Sequence, residues 1–593
     1  MTNLFLPRLR AHKLSAAVGS GKTRAAVAWI SSPGNATRNV LYVAPTKALI
    51  DQTAESLRRA IEAATGPCVR HLSKIHADTE GIGRGMVQAE ALQAISSVED
   101  HAGAVYLVTT QTFLALVSKI KRPDLWSVIL DEAFAPATFT SFHLGADAVA
   151  GWEHFSELFR VDSEQGHRIL AQEGRQAVIE EMARGVFTTA GDRFSSLGEV
   201  AEAVANPAVR CELVMTDGAR ALVEGQTLKK RGSRATQGTT LQLSSYVDPA
   251  AFSGFREVLF LSALFEETIL YHLWTKALGV TFEEHPDFPS HLLVDTHARE
   301  GRYLAVGHLL HESDTASLEN LQRDLVTGEP GCVTPGRRVI DHLVRTAAEH
   351  FGGEPFLLQT NARYGFTDGS PRTPRQAQVI PVLSHGQNCF QTFHNVAALA
   401  VVNPNPQQLA WVRDRTGMQS GEVTRAWRIH TVYQALGRCS IRKEVSDPVV
   451  KVALVAGARD ARFIHDLFPG SHWLGQVGTL PALSGLADKA TTKQPGKAEA
   501  LAQCIHDYLK QLPATVLEIK GQTIRDHLER SKTVAGKVLI DTLWLGADER
   551  FSIDKSTWSR ALALACIQGS GWQRRGHSVL RVTSALYGFE VET

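Results

Sequence analysis

Ala17-Val18-Gly19-Ser20-Gly21-Lys22-Thr23 constrains this chain more than any other stretch. An apolar run, Leu14 to Val18, precedes it, and a helix-like run, Arg24 to Ile30, follows. A glycine-rich turn between a strand and a helix aims backbone N–H groups outward at the positive end of the helix dipole, a geometry suited to phosphate. In such a loop Lys22 reaches the terminal phosphates and the Thr23 hydroxyl holds Mg²⁺. The usual first glycine is absent, with Ala16 or Ala17 near its place, but the Gly-Ser-Gly-Lys-Thr core is intact. Gly19, Ser20, Gly21, Lys22 and Thr23 are the expected phosphate contacts.

Short apolar runs recur after this loop, each closing on polar residues. Val40 to Ala44 leads into Pro45-Thr46-Lys47 and a helical segment. Ala104 to Val108 leads into Thr109-Thr110-Gln111-Thr112. Val128 to Leu130 ends in Asp131-Glu132-Ala133-Phe134, and Glu257 to Leu261 ends in Ser262-Ala263. Strands alternating with helices, with polar residues at their C-terminal ends, predict a parallel α/β sheet whose ligands sit above those ends. Each polar end also has a plainer reading, because Thr and Ser cap helices.

The order and spacing of these segments resemble the superfamily 2 helicases of the DEAD/DEAH-like group. Gly19 to Thr23 resembles motif I, Pro45-Thr46 with Leu49 and Gln52 motif Ia, and Thr109 to Thr112 motif Ib. Asp131 to Phe134 is similar to motif II, and Ser262 to Leu264 to motif III, the element that couples hydrolysis to movement. The resemblance implies ATP and Mg²⁺ as cofactors. Asp131 would hold the metal through water, and Glu132 would orient or deprotonate the attacking water. Pro45, Thr46, Lys47, Thr109, Thr110 and Gln111 fall where family members grip a sugar-phosphate backbone. Short hydroxyls and helix N-termini suit such sequence-independent contacts.

Between Asp131-Glu132 and Ser262 lie residues 135–255, more than a strand connection needs. Trp152, Phe155, Leu158 and Phe159 stand at helical spacing there and predict a small helical core. Leu228 to Arg234 is a basic, glycine-containing loop, readable as a phosphate contact or as a solvated surface.

A second α/β set begins near Arg302. Pro355 to Asn361 is a strand ending in polar residues, as motif IV does, and His385 to Asn388 stands where motif V belongs, without its usual Gly-x-Asp form. Asn361, His385 and Asn388 are thereby nucleic-acid candidates. Tyr433-Gln434-Ala435-Leu436-Gly437-Arg438, followed by Arg442, resembles motif VI, which supplies arginines to the γ-phosphate. The usual second arginine falls three residues after the first, where this chain has Ile441. A spacing of four would put Arg438 and Arg442 on one helix face, both aimed into a cleft between domains. Gln434, Arg438 and Arg442 join Lys22, Asp131 and Glu132 as candidate catalytic residues.

Residues 488–497 have linker composition. Beyond them, helical segments and a hairpin carrying Arg574, Arg575 and His577 resemble a winged helix. Its wing would meet either a phosphate backbone or a protein partner.

The fold expected is therefore α/β, with two tandem RecA-like parallel-sheet motor domains, a helical insertion and a C-terminal winged-helix-like domain. Residues 1–134 with 256–275 form the first motor domain and 135–255 a mainly helical insertion. Residues 276–470 form the second motor domain, 471–497 a linker and 498–593 the C-terminal domain. A chain of 593 residues has room for three or four such units. The formal charge of +1 makes any basic surface local. Seven cysteines scattered singly argue against zinc ribbons and disulfide frameworks and fit a reducing cytoplasm. No run of about 18 apolar residues is present, so no membrane span is expected.

The function implied is an ATP-dependent helicase or translocase, with DNA favoured over RNA as the partner. The aromatic-glutamine segment of RNA-specific DEAD-box proteins is missing upstream of Gly19. A translocating motor of a nuclease, defence or replication complex, or an RNA helicase, is the alternative. A protein partner would dock through the insertion or the C-terminal domain. The motif VI variant and the C-terminal module point toward phage- or plasmid-type members of the group.

Overall fold

The computed structural model describes residues 9–65, 70–77, 86–144, 148–164, 166–185, 197–224, 240–323, 325, 338–382, 389–443 and 448–483. Beyond these it describes 501, 505, 508–513, 515–516, 518–530, 558, 561–562, 572–575 and 578–581. The chain divides into a unit of residues 1–486 and one of 487–593.

Within the first unit, β1 (Arg10–Ser15), β2 (Asn39–Ala44), β3 (Leu72–Ile75), β4 (Val105–Thr109) and β5 (Trp126–Asp131) build one sheet. The insertion then contributes β6 (Ala137–His143), β7 (Phe159–Asp162), β8 (Arg168–Ala171), β9 (Val209–Val214) and β10 (Thr240–Val247). The chain returns as β11 (Glu257–Ser262) and β12 (Thr281–Glu284), completing an all-parallel sheet of order β12-β1-β11-β5-β2-β4-β3. Every residue of β2 and β5 is buried. Helices cover both faces of such a sheet, which is why its central strands are continuous apolar runs.

A second parallel sheet combines β13 (Leu304–His308), β14 (Phe356–Gln359), β15 (Ala377–Ile380), β16 (Asn395–Ala398), β17 (Lys451–Val455) and β18 (His472–Gln476). Its order is β15-β14-β16-β17-β13-β18. These two sheets are the two RecA-like domains expected from the sequence.

Three boundaries move. The first strand ends at Ser15, so Ala16 to Val18 belong to the loop, and Val18 is buried in the apolar cluster of the second lobe. The first motor domain runs past residue 275 to include β12, and the second runs past 470 to include β18. Both added strands are sheet edges with partly polar sequences, Thr-Phe-Glu-Glu and His-Trp-Leu-Gly-Gln. An edge strand needs less apolar character than a central one.

The insertion also differs from the mainly helical domain expected. Its helices pack on a five-stranded antiparallel sheet of order β6-β10-β9-β8-β7. Phe155, Leu158 and Phe159 are in its core, with Trp152 stacked on Phe155 at the edge and Phe159 tilted against Phe155. The helix itself ends at Ser156, so Phe159 belongs to β7. The strands escape a periodicity search because β6 and β10 are rich in Ser and Thr, which carry little hydropathy but pair well in a sheet. The 228–234 loop lies outside the described residues.

The insertion is also packed against the second lobe. Phe139 meets Trp411 edge-on at 5.4 Å, and Arg415 lies over the Trp411 ring at 5.0 Å while pairing with the buried Glu212. The Ser420–Leu436 helix bridges the lobes. Val423 and Ala426 join the apolar cluster of the first lobe, whereas Ile429, Val432 and Tyr433 join that of the second.

In the unit of residues 487–593 the described elements are β19 (Glu518–Lys520), the Gly521–Arg530 helix, β20 (Trp572–Arg575) and β21 (Ser578–Arg581). The strands form an antiparallel sheet of order β19-β21-β20. Arg574 and Arg575 lie on the first strand of the expected hairpin. The 488–497 linker and most of the proposed recognition segment lie outside the described residues.

Candidate nucleotide site between two lobes

Parallel register brings the polar strand ends to one edge of the first sheet. Ser15 pairs with Ser262, Leu261 with Asp131, and Ala44 with Thr109. From Ser15 the chain turns through the loop to the Lys22–Ser31 helix. Gly19 and Gly21 make that turn at φ of 76° and 90°, a region open to glycine without strain. Gly19 is required for space as well, since a Cβ there would stand 3.0 Å from the Cα of Arg442. The absent first glycine is harmless here, because neither Ala16 nor Ala17 has a positive φ.

A cleft of about 500 Å³ opens on this loop and is walled by Lys22, Thr23, Asp131, Glu132, Gln434 and Arg442. The Lys22 ammonium donates to the carbonyls of Ala16 and Ala17, 2.9 Å from each. Burial pulls its pKa down to about 8, against the opposing charges of Glu132 and Asp131. Thr23 Oγ1 donates to Asp131 Oδ2 at 2.8 Å, and the Tyr42 hydroxyl donates to the same carboxylate. Burial, reinforced by Glu132 next door, pushes the Asp131 carboxyl up to about 6.

Glu132 has a φ of 90°, an expensive conformation for a residue with a side chain and one concentrated at functional sites. Its backbone N–H is held by the Leu261 carbonyl at 2.7 Å. Its carboxylate accepts from Ser262 Oγ at 3.3 Å and, across the cleft, from Gln434 Nε2 at 3.2 Å. Arg438 Nη2 donates to Gln434 Oε1 at 3.0 Å. Burial, followed by the charge of Arg442, draws Arg438 down to about 10. Burial lowers Arg442 too, against Glu132 and Asp131. Both arginines remain cationic at neutral pH.

The two arginines are not on one helix face. The helix ends at Leu436, Gly437 caps it, and Arg442 closes a separate 3₁₀ turn, Ser440–Arg442. Arg442 reaches the cleft wall and Arg438 lies behind Gln434. The helical-face expectation failed because the chain breaks at Gly437, whose missing Cβ admits Val18: a Cβ there would stand 2.7 Å from it.

Asp131 and Thr23 present hard oxygen donors at one point. Mg²⁺ takes one or two protein ligands and fills its octahedron with phosphate oxygens and water, so this pair fits it.

The other predicted contacts are less uniform. Thr46 and Thr109 both cap helices, Thr46 accepting from Leu49 N and Thr109 from Thr112 N, each at 3.2 Å. Pro45, Lys47 and Thr110 beside them are half-buried, and Gln111 is exposed. Asn361 spends its amide on the backbone of Val401, at 2.8 and 2.9 Å, as a clamp between strand ends. His385 and Asn388 lie outside the described residues.

Sequence reasoning missed three participants. His430 Nε2 is 3.4 Å from Ser262 Oγ, 3.4 Å from Gln434 Nε2 and 3.7 Å from a Glu132 oxygen. Its spacing of one helical turn before Gln434 was the only signal available. The Tyr433 hydroxyl accepts from Val18 N–H at 3.0 Å and contacts His297 Nε2 at 2.6 Å. Nothing local in the sequence announces that bridge.

A P-loop and an Asp-Glu pair at the edge of one parallel sheet, met by a helical glutamine and a turn arginine of the second lobe, form a two-lobed candidate P-loop nucleotide site. Residues 5–134, which carry β1 to β5, the P-loop and the Asp131-Glu132 pair, match the family described as DEAD/DEAH box helicase. No curated protein sequence matches the chain. Among solved structures, it is similar to S. cerevisiae Dbp5 bound to RNA and ADP BeF3, with 12% identity and a TM-score of 0.31 over 80% of this chain and 86% of that one. It is similar to Mss116p bound to ssRNA and AMP-PNP, with 10% identity and a TM-score of 0.25 over 95% and 84%. It is also similar to the DUF1998 helicase MrfA bound to DNA, with 10% identity and a TM-score of 0.29 over 97% and 55%. Scores this low add nothing to what the strand orders establish.

Proposed function

We propose that the protein is an ATP-driven motor that steps along a nucleic-acid strand and unwinds duplex, with DNA the favoured substrate, in a reducing cytoplasm. The observation that carries this reading is the hydrogen bond from Gln434 in the second lobe to Glu132 in the first. It makes the hydrolytic group depend on the second lobe, so cleft closure and hydrolysis are tied together.

The steps follow from the side chains. Lys22 exchanges the Ala16 and Ala17 carbonyls for terminal phosphate oxygens. Bound Mg²⁺ supplies charge neutralisation at the phosphates, with Thr23 and Asp131 as its protein partners. Glu132 orients and deprotonates the attacking water, help worth about 10²–10⁴-fold. Arg442 stabilises the charge developing on the γ-phosphate, worth about 10³–10⁵-fold, and Arg438 holds Gln434 in place. Ser262 bonds to the same carboxylate and would pass its state to the strand-binding edge. Pro45, Thr46, Lys47, Thr109, Thr110 and Gln111 grip the strand there. Arg574 and Arg575 add contacts from the C-terminal unit, and that unit or the insertion receives a protein partner.

The test is ATP hydrolysis with single- and double-stranded DNA and RNA, followed by displacement of strands with 3′ or 5′ tails. Stimulation by DNA with strand displacement is expected. Stimulation by RNA alone would overturn the DNA assignment, and triplex displacement without strand separation would make the protein a non-unwinding translocase.

A further inference from the structure

A second cavity of about 500 Å³ borders the P-loop and takes no part in the phosphate chemistry. Ala16, Ala17 and Ser20 of the loop form one wall. Leu264 and the segment Leu292–Asp295, which connects the two lobes, form much of the rest, with His297 beyond. Leu293 lines this cavity and the phosphate cleft alike.

Three features make the cavity more than a packing gap. Ser20 is only 2% exposed, yet its Oγ has no hydrogen-bond partner among the described residues. A buried hydroxyl is normally satisfied, so one left over beside a cavity marks a place for a ligand atom. Leu293 is fixed by its backbone N–H, which donates to the Ser20 carbonyl at 3.0 Å. Its side chain is held 3.0 Å from where a Cβ of Gly21 would stand, and still it is 44% exposed at the mouth. Asp295 accepts from the N–H groups of His297 and Ala298 at 3.0 and 3.3 Å, and a carboxylate has capacity for further donors.

We propose that this cavity is the nucleobase subsite of the nucleotide whose phosphates occupy the P-loop, and that Leu293 and Asp295 select adenine. The inference rests on the reading of the cleft as an ATP site. Leu293 supports the face of the base, the Asp295 carboxylate accepts from the 6-amino group, and the Ser20 hydroxyl donates to a ring nitrogen or the ribose. A guanine would set its 6-oxo group against that carboxylate, two acceptors facing one another, and be rejected. The connecting segment thus does two jobs, joining the lobes and reading the base. Burial keeps His297 neutral, so the carboxylate is not offset by a neighbouring imidazolium.

The experiment compares ATP and GTP in the full-length protein, as steady-state hydrolysis and as direct binding of fluorescent ATP and GTP analogues. Wild type is expected to prefer ATP by about tenfold or more in kcat/KM. Leu293→Ala should weaken ATP about tenfold through KM, with competition by tripolyphosphate unchanged. Asp295→Asn preserves the helix cap and should compress the ATP to GTP ratio about fivefold or more. Unchanged ratios and KM values in both variants would overturn the subsite. A wild type that binds ATP over GTP without hydrolysing either would sink the hydrolase reading and leave the subsite standing.

Discussion

Gln434 Nε2 donates to Glu132 Oε1 at 3.2 Å, joining two lobes whose parallel sheets share no strand. Glu132 is held in a left-handed backbone conformation to meet it. The candidate site is therefore assembled from two lobes, and its parts should fail separately.

Glu132→Gln should reduce hydrolysis by about 10²–10⁴-fold while nucleotide still binds, because the base is lost and the phosphate contacts remain. Gln434→Ala should act in the same direction with a smaller loss, seen in kcat more than in KM. Single-turnover hydrolysis beside nucleotide titration checks both, and loss of binding in Glu132→Gln would contradict the role.

Arg442 and Arg438 should separate. Arg442 lines the cleft, so Arg442→Ala should cost about 10³-fold or more in hydrolysis. Arg438→Lys cannot reproduce the planar donor that holds Gln434, and should resemble Gln434→Ala instead. Equal effects of Arg442→Ala and Arg438→Lys on kcat would contradict this division.

Mg²⁺-nucleotide affinity should peak between about pH 6 and pH 8. Below 6 the Asp131 carboxyl takes a proton and loses the metal, and above 8 Lys22 loses the charge that meets phosphate. The raised Asp131 pKa also means that the nucleotide-free fold binds this proton more tightly than the unfolded chain. Its contribution to stability is present at low pH and is lost as pH rises through 6. Asp131→Asn should therefore raise the thermal midpoint at pH 8, with the gain shrinking at pH 5, as thermal melts on both proteins would show.

Arg415→Ala should take the ion-pair partner from the buried Glu212 carboxylate, leaving it the Tyr246 hydroxyl at 2.8 Å, and remove the cation over Trp411. Breaking such a pair costs about 3 kcal/mol, so the urea midpoint should fall clearly. Arg415→Ala combined with Glu212→Gln should recover part of the loss. No recovery would show that the ring contact, not the charge, holds the insertion against the second lobe.

Truncation after residue 486, at the boundary between the two compact units, should leave basal ATP hydrolysis intact and weaken nucleic-acid binding. Loss of basal turnover would mean that the C-terminal unit completes the nucleotide site.

The two parallel sheets, the P-loop, and the candidacy of Asp131, Glu132, Gln434 and Arg442 were legible in the order of residues alone. Buried parallel strands must be apolar runs, and phosphate chemistry needs particular groups beside a turn, so both leave local marks. The edge strands β12 and β18 and the Ser- and Thr-rich sheet of the insertion left weaker marks, since neither demands strong hydropathy. Which arginine faces the cleft was settled by packing, because Gly437 ends the helix where Val18 presses against it. Packing also brought His430 to Glu132, Tyr433 to Val18 and Leu293 over Gly21. Those contacts join segments far apart in the chain, and their geometry follows from how the lobes close rather than from any local preference.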